Sequence, residues 1–298
     1  RQIPGYLSMM QQAAPVTDAG GVQQVVDGAA QFGPATSYGP LTIVSTLSWG
    51  LGYFGVPQVL LRFMAIRSEG EIKQSRRIAT VWVILSLSSA VLIGVIGRAM
   101  LGAEPSLLSS GDAENVFIVM AQTLMPPVLA GVVMAGILAA TISSSDSYLL
   151  IAASAFAKNL YEGIFKKDQA DDRQVMRVSR VVLLAIAAIG MAIAWDEESV
   201  IFTIVSFAWA GFGATFGPVM LFSLFWKRTT RQGAIAGMLS GGIMVFVWNL
   251  LLKPLGGVFG IYELFPAFVI SCLFIVGVSL ATPAPSAEIQ AEFDRARG

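Results

Sequence analysis

From residue 41 onward the chain alternates long apolar runs with short polar loops. A helix crosses the hydrocarbon core of a bilayer with about 20 apolar residues. On that measure the pattern predicts seven spans, at 41–65, 78–101, 127–158, 176–195, 200–226, 233–252 and 261–281. The runs are continuously apolar and do not alternate over ten-residue strands, so helices rather than a β-barrel satisfy the backbone in lipid. An amphipathic stretch at 111–123 predicts a short helix in the loop before the third span. Residues 1–40, rich in Gly, Gln and Ala, read as an extramembrane loop, and 282–298 as a tail. The expected fold class is therefore an all-α polytopic membrane protein.

Composition strengthens that reading. Hydrophobic residues make up 55% of the 298 and charged residues only 13%, against about 25% charged in a soluble domain; mean hydropathy is +0.70. Net charge is zero, which gives no footing for nucleic acid, and there is no His to act as metal ligand or base. No nucleophile–base set or phosphate loop appears, so the expectation is a protein that is not an enzyme. The single cysteine, Cys272, lies in an apolar run and reads as a packing residue.

Charge then orients the chain. Sixteen of its basic residues fall in the loops after the odd-numbered spans and in the tail, from Arg62 and Arg67 through Lys166, Lys167, Lys227 and Arg231 to Arg295 and Arg297. Only Arg1, Arg98 and Lys253 fall on the other side. The positive-inside rule makes the crowded side cytoplasmic, which leaves the first forty residues and the acidic turn Asp196-Glu197-Glu198 outside. The chain opens at Arg1 rather than Met, with no signal peptide, and the expectation is that an amino-terminal part of a longer protein precedes it.

Two segments carry candidate chemistry. In the first span, Gly50, Gly52 and Gly55 lower helix propensity, and Pro57 removes a donor while pushing Val56 out of helical geometry. A kink or unwound turn is expected there. Broken helices at membrane depth bind charged groups at their half-helix ends, but a Gly-mediated helix contact with a Pro kink has the same composition. Trp49 and Tyr53, four residues apart, share a face and fit either an interfacial belt or the wall of a small-molecule pocket.

In the third span, Ala140, Ser143, Ser144, Ser147, Ile151 and Ser154 form one helical stripe, with Asp146 at its edge. A small-residue helix interface explains the serines alone. A carboxylate in that setting is costly and points instead to an ion path or cavity. Hard cations take several oxygen ligands, so hydroxyls at 143 and 144 and a carbonyl near 140 supply part of a sodium shell, completed by another helix or by water.

These segments together resemble the sodium/solute symporter family, most closely its proline-carrying branch. The resemblance rests on Trp-Gly-Leu-Gly-Tyr-Phe-Gly-x-Pro at 49–57, Ser-Arg-Arg-Ile at 75–78 and Ile-Leu-Ala-Ala-x-x-Ser-Ser at 137–144. It continues in Ser-Phe-Ala-Trp-Ala-Gly-Phe-Gly-Ala-x-Phe-Gly-Pro at 206–218, Thr-Arg-x-Gly-Ala at 230–234, Ile-Tyr-Glu-Leu-x-Pro at 261–266 and Ala-Pro-Ser-Ala at 284–287. Nearly everything after residue 40 is covered.

The resemblance implies the second inverted repeat of a leucine-transporter-type fold plus two carboxyl-terminal helices, with the partner repeat on amino-terminal helices of the same protein. It assigns a sodium ion to the carbonyl of Ala140 and the hydroxyls of Ser143 and Ser144, the latter standing where proline carriers often have Thr. A second sodium near Ser143, Asp146 and Ser147 follows from some relatives. For substrate it assigns Trp49, Tyr53 and Pro57; Val56 stands where well-known members have Gln. The expected function is sodium-coupled uptake of L-proline across the bacterial inner membrane. The alternatives are a sodium symporter for another small organic solute, a transporter-like sensor domain, or a passive channel.

Overall fold

The computed structural model describes residues 16, 24–26, 29–31, 39–101, 112–167, 171–195 and 201–296. Eleven α-helices order them: α1 (Pro40–Leu47), α2 (Trp49–Gly52), α3 (Pro57–Met64), α4 (Glu69–Leu101), α5 (Val116–Leu124), α6 (Pro127–Ala155), α7 (Asp172–Ile193), α8 (Ile201–Phe225), α9 (Arg231–Val247), α10 (Leu264–Ala281) and α11 (Ala287–Ala296). A π-helical extension, Phe156–Phe165, lengthens α6, and another, Trp248–Leu252, lengthens α9. The only paired strands among the described residues are β1 (Val25–Val26) and β2 (Ala29–Ala30), antiparallel and two residues each.

Among the described residues six helices are long and apolar enough to cross a membrane: Glu69–Gly97, Pro127–Phe165, Asp172–Ile193, Ile201–Phe225, Arg231–Leu255 and Leu264–Ala281. The protein is thus an all-α polytopic membrane protein. The remaining expected span, 41–65, is present as α1, α2 and α3 in succession rather than as one helix. The helix of the second expected span, α4, begins at Glu69, well before the apolar run, because helical hydrogen bonding continues through a polar first turn with Glu69 and Glu71. The short helix expected over 111–123 is present as a 3-10 turn, Asp112–Asn115, leading into α5. The acidic turn at 196–198 lies outside the described residues.

The best-packed part is the trio α8, α9 and α10, with α2 laid against α8 and α10. Its core is Ala210, Ala214, Val245, Tyr262, Leu264, Ala267 and Phe268. Small residues make it close. Gly233, Gly237 and Gly241 line one edge of α9 at four-residue spacing, and a Cβ at each would overlap, in turn, Ser279 of α10, Ile275 of α10 and the Ala214 carbonyl of α8. This is the small-residue seam that lets membrane helices approach. Pro218, inside α8, has no N–H to give the Ala214 carbonyl, and the bare Cα of Gly241 faces that oxygen instead. Polar groups of the seam are paired: Ser271 Oγ donates to the Gly237 carbonyl at 2.8 Å, and Thr230 caps α9 by accepting from Gly233 N at 3.1 Å.

At the opposite end of α9, Glu263 is only 1% exposed. Its two oxygens accept from Lys253 Nζ at 2.8 Å and Asn249 Nδ2 at 3.1 Å, so this buried carboxylate is both paired and hydrogen-bonded. The other helices form a looser group: α6 packs on α7 and α5, and α5 on α4. Glu114 links the groups by accepting from the Ile201 and Phe202 amides at 3.3 and 3.2 Å. The apolar windows of α4 and α7 have 0% of their residues buried.

Candidate functional site

The break in the first span is a built feature. Ser48 ends α1, buried, with its hydroxyl donating to the Ser45 carbonyl at 2.6 Å. One helical turn follows, Trp49–Gly52, and the amides of Gly55 and Val56 both donate back to the Gly52 carbonyl, at 3.0 and 3.1 Å. Val56 is then extended (φ −74°, ψ 117°) and 6% exposed, and Pro57 opens α3. This is the geometry a residue before proline favours. Since helical bonding restarts at Val56, no amide among the described residues reaches the carbonyls of Tyr53, Phe54 or Gly55. Three acceptors are therefore left to a ligand, water or another helix.

Packing against α8 holds the break in place. A Cβ on Gly52 would overlap the Trp209 indole, and one on Gly55 would crowd the Phe212 carbonyl and Gly217 amide of α8. Trp209 Nε1 donates to the Trp49 carbonyl at 3.1 Å. The Trp49 ring stacks among Phe202, Trp209 and Tyr262, at 5.5, 5.6 and 5.8 Å between centroids. Tyr53 sets its edge on Trp209 at 4.9 Å and is 56% exposed. Tyr262 closes the cluster: its N–H donates to Ser45 Oγ at 2.8 Å and its hydroxyl to the Ser206 carbonyl at 2.6 Å.

The predicted substrate residues thus fall together, with Trp49 and Tyr53 contributing rings to one aromatic wall and Pro57 at the start of α3. Sequence reasoning assigned no role to Phe202, Trp209, Tyr262 or Ser45. The available signal was Trp209 inside the small-residue run 206–218, but nothing local indicates that its indole reaches back 160 residues to Trp49.

The predicted cation residues lie on α6, on a different packing group. Ala140, Ser143, Ser144, Asp146 and Ser147 are all exposed. Ser147 Oγ donates to the Ser143 carbonyl at 3.0 Å. The hydroxyls of Ser143 and Ser144 and the carboxylate of Asp146 have no hydrogen-bond or ion-pair partner among the described residues. Among the described residues α6 packs chiefly on α5, α7 and its own extension, and α2 chiefly on α8 and α10. The structure therefore presents an oxygen-bearing stripe and an aromatic break as two open surfaces, and does not bring them together.

Most of the chain is similar to known proteins. The family model for the sodium:solute symporter family matches residues 2–241. The sodium/proline symporter of Escherichia coli (strain K12) is 42% identical over 258 residues, 86% of this chain and 50% of that protein. That of Haemophilus influenzae is 41% identical over 263 residues, 88% of this chain and 52% of that protein. The high-affinity proline transporter PutP of Bacillus subtilis (strain 168) is 41% identical over 255 residues, 85% of this chain and 52% of that protein. The chain spans about half the length of these curated relatives.

Proposed function

This chain belongs to the sodium:solute symporter family, a family of transporters rather than enzymes, and we propose that it carries one half of a sodium-coupled L-proline uptake system of the bacterial inner membrane. The observation that carries the proposal is the break between Gly52 and Pro57, with three unspent carbonyls beside an aromatic wall. Proline is a compact apolar ring bearing a cationic secondary amine. The faces of Trp49 and Tyr53 cover the ring and attract the cation, and carbonyls at Tyr53, Phe54 and Gly55 accept its two N–H donors. Pro57 keeps those carbonyls free by holding the break open.

Sodium is the second substrate. The carbonyl of Ala140 and the hydroxyls of Ser143 and Ser144 supply three of its oxygens, and Asp146 with Ser147 offers a second, weaker ion position. The remaining ligands come from further helices of the same protein, arranged as the partner repeat of a leucine-transporter-type fold. Support for such helices is physical: the chain covers about half of its relatives, and Ser143 and Ser144 are exposed with no hydrogen-bond partner for their hydroxyls among the described residues. Residues 41–281 then form the transmembrane part, with 1–40 outside and 282–298 cytoplasmic.

Coupling follows from charge. One cation moving inward through 100 mV releases about 2.3 kcal/mol, to which the sodium gradient adds. Ion binding ties α6 to its partner helix and favours the conformation that binds proline, and proline must tighten sodium by the same factor. The test is uptake by the complete carrier. Ser143→Ala is expected to raise the sodium concentration for half-maximal uptake by about tenfold, with expression unchanged; an unchanged sodium curve removes Ser143 from the ion site. Removing sodium is expected to abolish accumulation of radiolabelled proline, and excess unlabelled proline, but not pantothenate, to compete.

A further inference from the structure

Where α8 turns into α9, two cavities meet on one indole. The first, of about 480 Å³, lies between the α8–α9 turn and α11; Lys227, Arg231 and Gln232 line one side and Ile289 and Phe293 the other. The second, of about 610 Å³, is bounded by Leu221, Phe222 and Phe225 of α8 and Val276 of α10. Trp226 lines both, held edge-on by Phe222 at 5.5 Å. The turn joins two membrane-crossing helices, so it stands at a membrane face. The apolar groove therefore runs along α8 and α10 into the hydrocarbon, and the basic cavity opens at headgroup depth.

The charges of this corner are unequally used. Arg228 is turned inward, its Nη2 donating to the Thr282 carbonyl at 2.8 Å. Lys227 pairs with Asp294 of α11 at 2.5 Å, in an open position with side-chain exposures of 42% and 61%. Such a pair exchanges readily with other anions in water. Arg231 is exposed and has no partner among the described residues. The charged side chains lining the basic cavity are thus two cations, Lys227 and Arg231, the first shared with Asp294.

We propose that this corner binds one anionic glycerophospholipid. Its phosphate sits on Arg231 and Lys227, its glycerol passes Trp226, and one acyl chain lies along Leu221, Phe222, Phe225 and Val276. A small anion uses only the first cavity, and a zwitterionic lipid fills both but gains little from two cations; an anionic lipid fills both and keeps the full attraction. A tryptophan between a basic rim and an apolar groove is suited to the interface it occupies.

Native mass spectrometry of the complete carrier, released from detergent and titrated with dioleoylphosphatidylglycerol, tests the assignment. Phosphatidylglycerol is expected to bind about tenfold more tightly than dioleoylphosphatidylcholine, as attraction to two interfacial cations implies. Lys227→Gln with Arg231→Gln is expected to erase that preference, and Val276→Trp, which fills the groove without touching a charge, to weaken both lipids. Millimolar glycerol 1-phosphate is expected not to displace the lipid. Equal binding of the two lipids, displacement by glycerol 1-phosphate, a preference that survives loss of the two cations, or undiminished binding by Val276→Trp would each overturn the proposal. The readout is lipid mass, so it stands or falls independently of whether proline is the substrate.

Discussion

At the scale of single residues, close approach decides more than propensity. Gly50 and Gly52 sit two apart in one helical turn, and a helix-propensity argument treats them alike. Tertiary packing does not: a Cβ at 50 meets nothing within 4 Å, whereas at 52 it enters the Trp209 indole that donates to the Trp49 carbonyl. Gly52→Ala is expected to destabilise the detergent-solubilised carrier by about 1–3 kcal/mol through overpacking. Gly50→Ala is expected to be neutral or to gain up to about 1 kcal/mol of helix stability. Thermal unfolding of the two variants side by side checks the order, and a reversed order would mean that α2 does not rest on α8. The same contrast shows what was legible of the site. Local spacing puts Trp49 and Tyr53 on one face and Pro57 at the break, and the family resemblance is what assigns them to substrate, while Trp209 and Tyr262 join the cluster through contacts with Trp49 from 160 and 213 positions away along the chain.

At the scale of elements, the broken span and the α9–α10 hairpin illustrate opposite uses of polar groups in an apolar setting. The break leaves the Tyr53–Gly55 carbonyls open, which is tolerable in a membrane only where protein, water or a ligand covers them. The hairpin instead spends its polar groups on itself: Glu263 uses both carboxylate oxygens, and Trp248 Nε1 donates to the Phe259 carbonyl at 3.1 Å. Glu263→Gln is expected to cost about 1.5–3 kcal/mol, the worth of a hydrogen bond to a charged group. Lys253, 40% exposed, can turn toward water once its partner is neutral. Glu263→Leu is expected to cost more, because Asn249 then loses its acceptor as well. Melting temperatures of the two variants in one detergent measure this; a neutral Glu263→Leu would show that the carboxylate does not hold the hairpin.

At the scale of the molecule, the chain is unevenly covered. The trio α8–α10 encloses a core, but α4 and α7 bury none of their apolar windows, and side chains such as Trp82 and Leu184 are 70% and 68% exposed. Apolar surface on that scale does not stand in water. The expected outcome is that this chain, expressed alone, stays in the membrane pellet after alkaline carbonate and leaves it only with detergent. Release by carbonate would place these helices outside the bilayer. The serine stripe belongs to this scale too. Its residues were readable from a 3.6-residue period, but their partners are not on any element they touch here.

What the sequence determined by itself was the set of membrane helices, the place of the break and the kind of atoms at each candidate site. These follow from local causes: the length of an apolar run, a proline ring against its neighbour, the period of a helix. What only the tertiary structure decided was which surfaces those atoms face. The aromatic wall exists because α8 and the start of α10 close on α2 through bare glycines, whereas Ser143 and Ser144 are exposed on α6, which packs chiefly on α5, α7 and its own extension among the described residues. Contacts between residues far apart in the chain depend on the sum of packing over whole helices, and no short stretch of sequence contains that sum.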